Sequence, residues 1–165
     1  MNNQEDFLKF SGLIHLEGLK DQPFIVGDLF NDKLGRIFSS VLMPPDYLTL
    51  KMTPPMNPMV VGVYEAKKEI MFSHVRDWAY QRGLWRLLNL VYVYEICFRH
   101  ITMKQRLLAE NNQENKFFVP TLNNSQTNYH LTVIETEKNK WEVSQSIFYP
   151  DQKFERADAG TRFFF

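Results

Sequence analysis

The sequence predicts an α+β fold in a single domain, residues 1–165, and three observations support this prediction. Short runs of β-branched and aromatic residues, separated by glycine and proline, fill the first part of the chain. A segment with helical periodicity follows, and two alternating runs that can pair as a hairpin come later. Because strands precede the helical segment instead of alternating with helices, a parallel doubly wound sheet is not expected.

The N-terminal part of the chain is predicted to form short strands. Residues 13–17 and 24–26 are bounded by glycine and proline, as strands between turns are. Residues 34–42 fit a strand and a short helix equally well. Residues 59–64 are predicted to form a further strand.

The segment MPPDYLTLKMTPPMNPM, residues 43–59, is rich in proline and methionine. Between its two Pro-Pro pairs, residues 47–52 alternate in the pattern of a half-buried strand. Proline cannot donate a ladder hydrogen bond, so this strand is expected at a sheet edge. Because methionine adapts to irregular surfaces, Met52, Met56 and Met59 are candidate partner-binding residues. Two stiff turns around an edge strand explain the same residues without a partner.

A long central helical segment is predicted over about 65–110, with a bend at Gly83 and a stop at Asn111-Asn112. Glycine costs a helix interior only about 1 kcal/mol, so a bend is preferred to a break. Apolar residues recur at intervals of three and four along one face, as a core-facing helix requires. These residues are Leu84, Leu87, Leu90, Val91, Tyr94, Phe98, Ile101 and Leu108.

The opposite face of the predicted helix carries aromatic and arginine side chains. Trp78, Trp85 and Tyr92 are seven residues apart and form a stripe on a continuous helix, with Arg82 and Arg99 beside it. A row of exposed aromatic side chains is typical of a contact site, and arginine is also enriched at interface centres. The sequence leaves three possibilities for what covers this face: the protein's own strands, a partner protein, or nucleic acid.

The last part of the sequence contains a predicted hairpin and three adjacent phenylalanines. Residues 129–135 and 141–149 alternate well and are joined by EKNK. Phe163, Phe164 and Phe165 follow a polar stretch. Because three adjacent phenylalanines are not expected to stay in water, they dock either onto their own domain or onto a neighbour.

Composition and charge limit the classes of function. The chain is 44% hydrophobic and includes 14 Phe, 7 Tyr and 3 Trp, which fits a dense core or an interface. The formal net charge is zero, which disfavours nucleic-acid binding, although residues 67–108 carry 8 basic and 3 acidic residues. The single cysteine, Cys97, cannot form an intrachain disulfide. We therefore expect the cytoplasm or another reducing compartment, and no run is apolar enough for a transmembrane segment.

No motif in the sequence predicts chemistry. His74 with Asp77, and Cys97 with His100, are each three residues apart, but such pairs are more often surface contacts or core residues than catalytic pairs. The four histidines and the cysteine lack the spacing of a metal site, and no glycine-rich loop resembles a phosphate cradle. The sequence therefore predicts no catalytic residue, no metal and no cofactor.

The leading hypothesis is a non-enzymatic protein–protein interaction domain, an adaptor or accessory subunit of a larger assembly, with a protein partner or self-association. Its predicted contact residues are Trp78, Arg82, Trp85, Tyr92, Arg99, Met52, Met56, Met59, Phe163, Phe164 and Phe165. The first alternative is a nucleic-acid-binding module that uses Arg76, Arg82, Arg86, Arg99, Lys104 and Arg106. The second alternative is a small-ligand-binding or enzymatic domain with an aromatic pocket.

Overall fold

The computed structural model describes residues 7–17, 23–30, 37–52, 57–120, 128–148 and 155–165. These residues form a mixture of strands and short helices, as an α+β fold requires. In chain order the elements are β1 (Leu8–Leu16), β2 (Phe24–Ile25), α1 (Val26–Phe30), β3 (Ser40–Leu42), α2 (Pro45–Leu48), β4 (Lys51–Met52), β5 (Met59–Ala66), β6 (Ile70–Met71), α3 (Phe72–Gln81), α4 (Leu90–Ile101), β7 (Glu114–Val119), β8 (Asn128–Glu137), β9 (Lys140–Phe148), β10 (Arg156–Ala157) and β11 (Arg162–Phe164).

Seven of these strands form the main sheet, in the order β1-β5-β11-β7-β8-β9-β3. The inner strand β11 is antiparallel to β5 and parallel to β7. The predicted hairpin is present, because β8 and β9 pair antiparallel on either side of a turn at Lys138 and Asn139. β1 and β3 are the edges of this sheet, and β2 with β4 and β6 with β10 form two smaller sheets.

Hydrophobic cores lie on both faces of the main sheet. On one face, α1, α2 and α4 pack on a core that includes Phe117 and Phe164. On the other face, α3 packs on a second core that includes Phe118 and Phe163. Successive side chains of a strand point to opposite faces, which is why these neighbouring phenylalanines enter different cores.

The prediction of one long central helix over about 65–110 is wrong. Strand β5 continues to Ala66, and the helical residues are divided between α3 and α4. Residues 84–89 between the two helices have neither helix nor strand, and the amide of Leu88 donates to the carbonyl of Phe118 in β7 at 2.7 Å. This link therefore crosses to the sheet and is not a bend in one helix.

Gly83 ends α3. Its φ is +64°, a left-handed conformation that glycine adopts without the penalty of a Cβ atom. The amide of Gly83 donates to the carbonyl of Tyr80 at 3.0 Å, and the amide of Leu84 donates to that of Ala79 at 2.9 Å. These two bonds satisfy carbonyls that the last turn leaves free, and this pattern typically terminates helices.

Asn89 starts α4, since its side chain accepts the amide of Val91 at 3.0 Å. We expect Asn89→Ala to lower the free energy of unfolding by about 1 kcal/mol, because the first turn loses its cap. Asn89→Ser keeps a capping oxygen and is expected to retain most of this stability. Urea unfolding of both variants measures the difference, and equal losses would contradict the capping role.

Several strand predictions near the N-terminus are confirmed and others are wrong. Residues 13–17 largely belong to β1, and residues 59–64 lie within β5. Residues 24–25 form β2, whereas Val26 already begins α1. Of the ambiguous segment 34–42, Ser40–Leu42 form β3, parallel to β9.

The edge strand predicted over 47–52 is present only at its end. Pro45–Leu48 form α2, with proline in the first turn. Proline is favoured there because a first-turn amide has no helical acceptor and because its φ already suits a helix. Lys51 and Met52 form β4, which pairs with β2 and not with the main sheet.

Candidate functional site

The predicted aromatic stripe is not a surface of one helix. Trp78 lies on α3 and Trp85 in the following link, both in the core on one face of the sheet, whereas Tyr92 lies on α4 in the core on the other face. Trp78 is 8% exposed and Tyr92 is 1% exposed. The spacing of seven residues places side chains together only on a continuous helix, and the break at Gly83 removes that condition. The protein's own strands therefore cover these two rings.

The three phenylalanines at positions 163–165 belong to the centre of the sheet. All three are buried. Phe164 stacks on Phe117 with ring centroids 4.2 Å apart. Phe163 and Phe165 lie on the opposite face, each parallel to the ring of Phe118. They dock onto their own domain, the first of the two alternatives, and do not form an accessible contact surface.

The predicted methionine contacts are only partly accessible. Met52 and Met59 are half-buried against the core on the α4 face. Met56 lies outside the described residues. Met52 and Met59 therefore contribute to packing within the chain.

An exposed apolar surface does exist, on the α3 face of the sheet beside its β1 edge. Phe10 is 54% exposed, Leu13 is 59% exposed and Val60 is 41% exposed. In the pairing of β1 with β5, Phe10 lies opposite Tyr64 and Leu13 lies opposite Gly62. Gly62 is two residues from Tyr64 and two residues from Val60 along β5. Paired residues and residues two apart share a face. We call Phe10, Leu13, Val60 and Tyr64 the β1 surface.

A β-bulge places Phe10 and Leu13 on the same face. In a regular strand, residues three positions apart point to opposite faces. The register of β1 against β5 shifts between Phe10 and Gly12, so one additional residue is accommodated there. Leu13 consequently joins Phe10 on the α3 face, while Ile14 is buried in the core on the α4 face.

Two arginines border the β1 surface. The exposed guanidinium of Arg86 donates to the carbonyl of Val60 at 3.4 Å. Arg82 lies over the ring of Trp78, 4.4 Å from its centroid, and this ring is 5.1 Å from that of Tyr64. Arginine beside aromatic rings is typical of interface centres because the guanidinium stacks on them and forms directed hydrogen bonds.

Trp85 connects to the same region through Phe165. The ring of Phe165 lies 5.8 Å from that of Tyr64 and 6.0 Å from that of Trp85. Trp85 is half-buried and stacks at 5.3 Å on the exposed ring of Tyr80. Of the predicted contact residues, Trp78 and Phe165 therefore contact the β1 surface directly, and Arg82 and Trp85 lie one side chain further from it.

Side chains of α4 close one end of the β1 edge. Arg99 donates to the carbonyl of His15 at 2.7 Å and pairs with Glu95. Glu95 also accepts the amide of Glu17 at 3.1 Å. Arg99 thus holds the backbone at the C-terminal end of β1, which explains why this arginine is half-buried.

Comparisons with known proteins identify no relative of this chain. No protein-family model, curated protein or solved structure matches the chain. No helix among the described residues is long and apolar enough to cross a membrane. The interpretation of function therefore depends on the geometry of the described residues.

The histidine and cysteine pairs have structural surroundings. Cys97 is fully buried, and this burial raises the pKa of its thiol, which disfavours the reactive thiolate. Burial also lowers the pKa of His100, more than the nearby carboxylate of Glu110 raises it. Asp77 accepts hydrogen bonds from Arg76, and His74 is exposed. In the part of the chain that the structure describes, no group of three His, Cys, Asp or Glu residues can hold a metal ion.

The basic residues of the nucleic-acid alternative do not share one face. Arg76 lies on α3, whereas Arg99 lies on α4 across the sheet. Lys104 and Arg106 follow α4 and line a cavity near the β8–β9 turn. A phosphate backbone requires a continuous basic surface, so this division removes the main support for that alternative.

Proposed function

We propose that this chain is a protein-interaction domain that binds a partner through the β1 surface. The observation that carries the proposal is the group formed by Phe10, Leu13 and Val60, each at least 41% exposed and together on one face. Single exposed apolar residues are ordinary, whereas a contiguous group bordered by arginine and aromatic side chains is typical of a binding site. Such a domain serves as an adaptor or as an accessory subunit of a larger assembly.

The chemistry of the β1 surface favours an extended partner segment that is apolar and carries an acidic residue. Apolar side chains of the partner cover Phe10 and Leu13, and a carboxylate pairs with Arg86 at the border. β1 is an edge strand of the described sheet, and an extended segment can add to such an edge. Because α4 closes the end of β1 near His15, the segment pairs with β1 before that end, beside Phe10 and Leu13.

Leu13→Lys tests this proposal, with Leu42→Lys as the matched control. Leu42 is 56% exposed on β3, at the opposite edge of the sheet. Burying a leucine stabilises a complex by roughly 1.5–3 kcal/mol, so we expect Leu13→Lys to weaken partner binding by at least about tenfold. Leu42→Lys is expected to bind as the wild type does.

Affinity capture followed by calorimetric titration of the captured partner measures this effect. Light scattering at increasing concentration tests self-association of the isolated wild type, of Leu13→Lys and of Leu42→Lys. Support requires that binding is lost with Leu13→Lys and kept with Leu42→Lys, while both variants melt as the wild type does. Binding that is equal in all three proteins, or absent in the wild type, overturns the proposal.

A further inference from the structure

The β1 edge of the main sheet is long, whereas the β3 edge is short. β1 has nine residues and β3 has three. Among the residues that the structure describes, no strand lies on the outer side of β1. The carbonyl of His15 accepts Arg99, and the part of β1 before it faces no described strand. An unpaired edge of this kind is a template on which a further strand can pair.

β1 also has the features that the β1 surface favours in a partner segment. The strand is extended, and it presents Phe10 and Leu13 as exposed apolar side chains. Glu5 and Asp6, which lie outside the described residues, closely precede it in the sequence. An extended apolar strand with acidic residues beside it is therefore present in every copy of the chain.

A two-fold axis perpendicular to the sheet brings the β1 strands of two copies together. Two-fold symmetry is the commonest symmetry of protein dimers. Rotation about this axis reverses the direction of a strand and leaves each face of the sheet on its own side. The two β1 strands therefore run antiparallel, and the α3 faces of both copies lie on the same side. The two β1 surfaces adjoin across the axis as a result.

The β-bulge lies at the centre of this pairing. When Phe10 of one copy lies opposite the partner's Leu13, the symmetry also places Leu13 opposite the partner's Phe10. Residues directly opposite in an antiparallel pair share a face, and their Cβ atoms are about 4.5–5.5 Å apart. Two contacts between an aromatic and an aliphatic side chain form in this way. The stretch from Phe10 to Leu13 lies before His15, where Arg99 occupies the edge.

The antiparallel direction also brings opposite charges together. The residues that precede β1 in one copy come to the far end of β1 in the other, near His15. His15 is paired with Val60, whose carbonyl accepts the exposed guanidinium of Arg86 at 3.4 Å. The partner's Glu5 and Asp6 therefore approach Arg86, and the symmetry repeats this contact. A parallel arrangement would instead place the two acidic segments side by side.

We propose that the partner of the β1 surface is a second copy of this chain, joined by antiparallel pairing of the two β1 strands. This inference rests on the proposed function, because it names the occupant of the same surface. The formal net charge of the chain is zero, so two copies do not repel each other at long range. A contact between two sheet edges is smaller than a standard interface of roughly 1,200–2,000 Å², so we expect a reversible dimer with a dissociation constant of about 10–100 µM.

Sedimentation equilibrium of the full chain from about 1 µM to 500 µM spans this expected range. The wild type is expected to pass reversibly from monomer to dimer and to form no larger species, because a two-fold interface is closed. We expect Leu13→Lys to weaken the dimer at least about tenfold, since a charge replaces an apolar contact on each side of the axis. Leu42→Lys, at the opposite edge, is expected to dimerise as the wild type does.

Reversal of charge tests the direction of the strands. The double variant Glu5→Lys, Asp6→Lys and the single variant Arg86→Glu each place like charges together, and each is expected to weaken its own dimer by roughly threefold to tenfold. An equimolar mixture of these two proteins is expected to recover the affinity of the wild type, because every contact of the mixed dimer again joins opposite charges. Lys51→Glu changes an exposed charge on β4 and is expected to have no effect.

The results separate this inference from the proposed function. A wild type that stays monomeric, or a mixture of charge-reversed proteins that does not recover dimerisation, overturns the pairing of two β1 strands. If that monomeric wild type binds a different captured protein and Leu13→Lys abolishes the binding, the β1 surface keeps its function with another occupant. Dimerisation that is equal in the wild type, Leu13→Lys and Leu42→Lys overturns both.

Discussion

Phe164→Ala is expected to lower the free energy of unfolding by about 3–5 kcal/mol, a large part of the stability of an ordinary domain. Phe164 is fully buried in β11 and stacks on Phe117 in β7. Its neighbour on the other side is Val63 in β5. Truncation therefore leaves a cavity at the centre of the sheet, where the flanking strands cannot move together without breaking the pairing of β11. Urea unfolding followed by tryptophan fluorescence measures the loss.

Phe10→Ala is the matched control for this prediction. It removes the same atoms from a side chain that is mostly in water, so we expect a loss within about 0.5 kcal/mol. Equal losses in the two variants would contradict the central position of β11. The control also shows whether the β1 surface can be altered without loss of the fold.

Below about pH 6.5 the protein is expected to lose stability steeply, because buried histidines must stay neutral in the folded state. Burial, and to a lesser extent the ammonium of Lys116, lower the pKa of His130 to about 3. His130 Nε2 lies 3.6 Å from a carboxylate oxygen of Glu155. Because burial keeps the imidazole neutral, this contact is not an ion pair.

The sign of the pH effect follows from proton uptake. An unfolded histidine takes up a proton near pH 6.5, whereas folded His130 takes it up only near pH 3. Between these values the unfolded state binds more protons, so acid favours unfolding. His130 alone contributes a loss of roughly 1.4 kcal/mol per pH unit in this window. Burial also lowers the pKa of His100, which adds to the loss.

Glu155 acts in the opposite direction. Burial raises the pKa of its carboxyl above the ordinary value of 4.5. The folded state therefore binds the proton first, and the contribution of Glu155 to stability is lost as pH rises from 4.5 through the raised pKa. It offsets part of the histidine effect on acidification, so the net slope of the wild type is smaller than the histidines alone would give.

His130→Phe isolates the contribution of His130, with His74→Gln as the control. Phenylalanine fills the site beside Phe72 and removes Nδ1, a buried nitrogen that has no hydrogen-bond partner. We expect the slope of unfolding free energy between about pH 6.5 and pH 4 to fall by up to one proton equivalent, roughly 1.4 kcal/mol per pH unit. The exposed His74 is not expected to change it. An unchanged slope in His130→Phe would show that His130 is not held neutral by the fold.

Elements with a strong local signal were predictable from the sequence. The β8–β9 hairpin follows from alternation alone, and so does most of β5. The break between α3 and α4 has local signals too, because Gly83 and Asn89 are a typical helix stop and start. The regular spacing of leucines across the break nevertheless favoured one helix. The link is extended because Leu88 pairs with Phe118, a contact with no signature in sequence.

The accessible surfaces were not predictable in the same way. Aromatic content cannot distinguish a core from an interface, so the sequence predicts a contact surface at Tyr92 and Phe164, although both are buried. Phe10 and Leu13 share a face only because of the bulge in β1, and a one-residue shift of register is invisible to periodicity. The cavity near His100 and Glu135 forms where two loops meet in space.

The position of β11 has a consequence for the newly made chain. Its partner strand β5 leaves the ribosome well before Phe164 is added, since Val63 pairs with Phe164 across most of the sequence. At roughly 5–20 residues per second, translation of the intervening segment takes about 5–20 s. Until β11 has been made, the backbone groups of β5, and those of β7 once it has been synthesised, lack the strand to which they later bond. The main sheet of this protein therefore cannot be completed until residue 164 has been added.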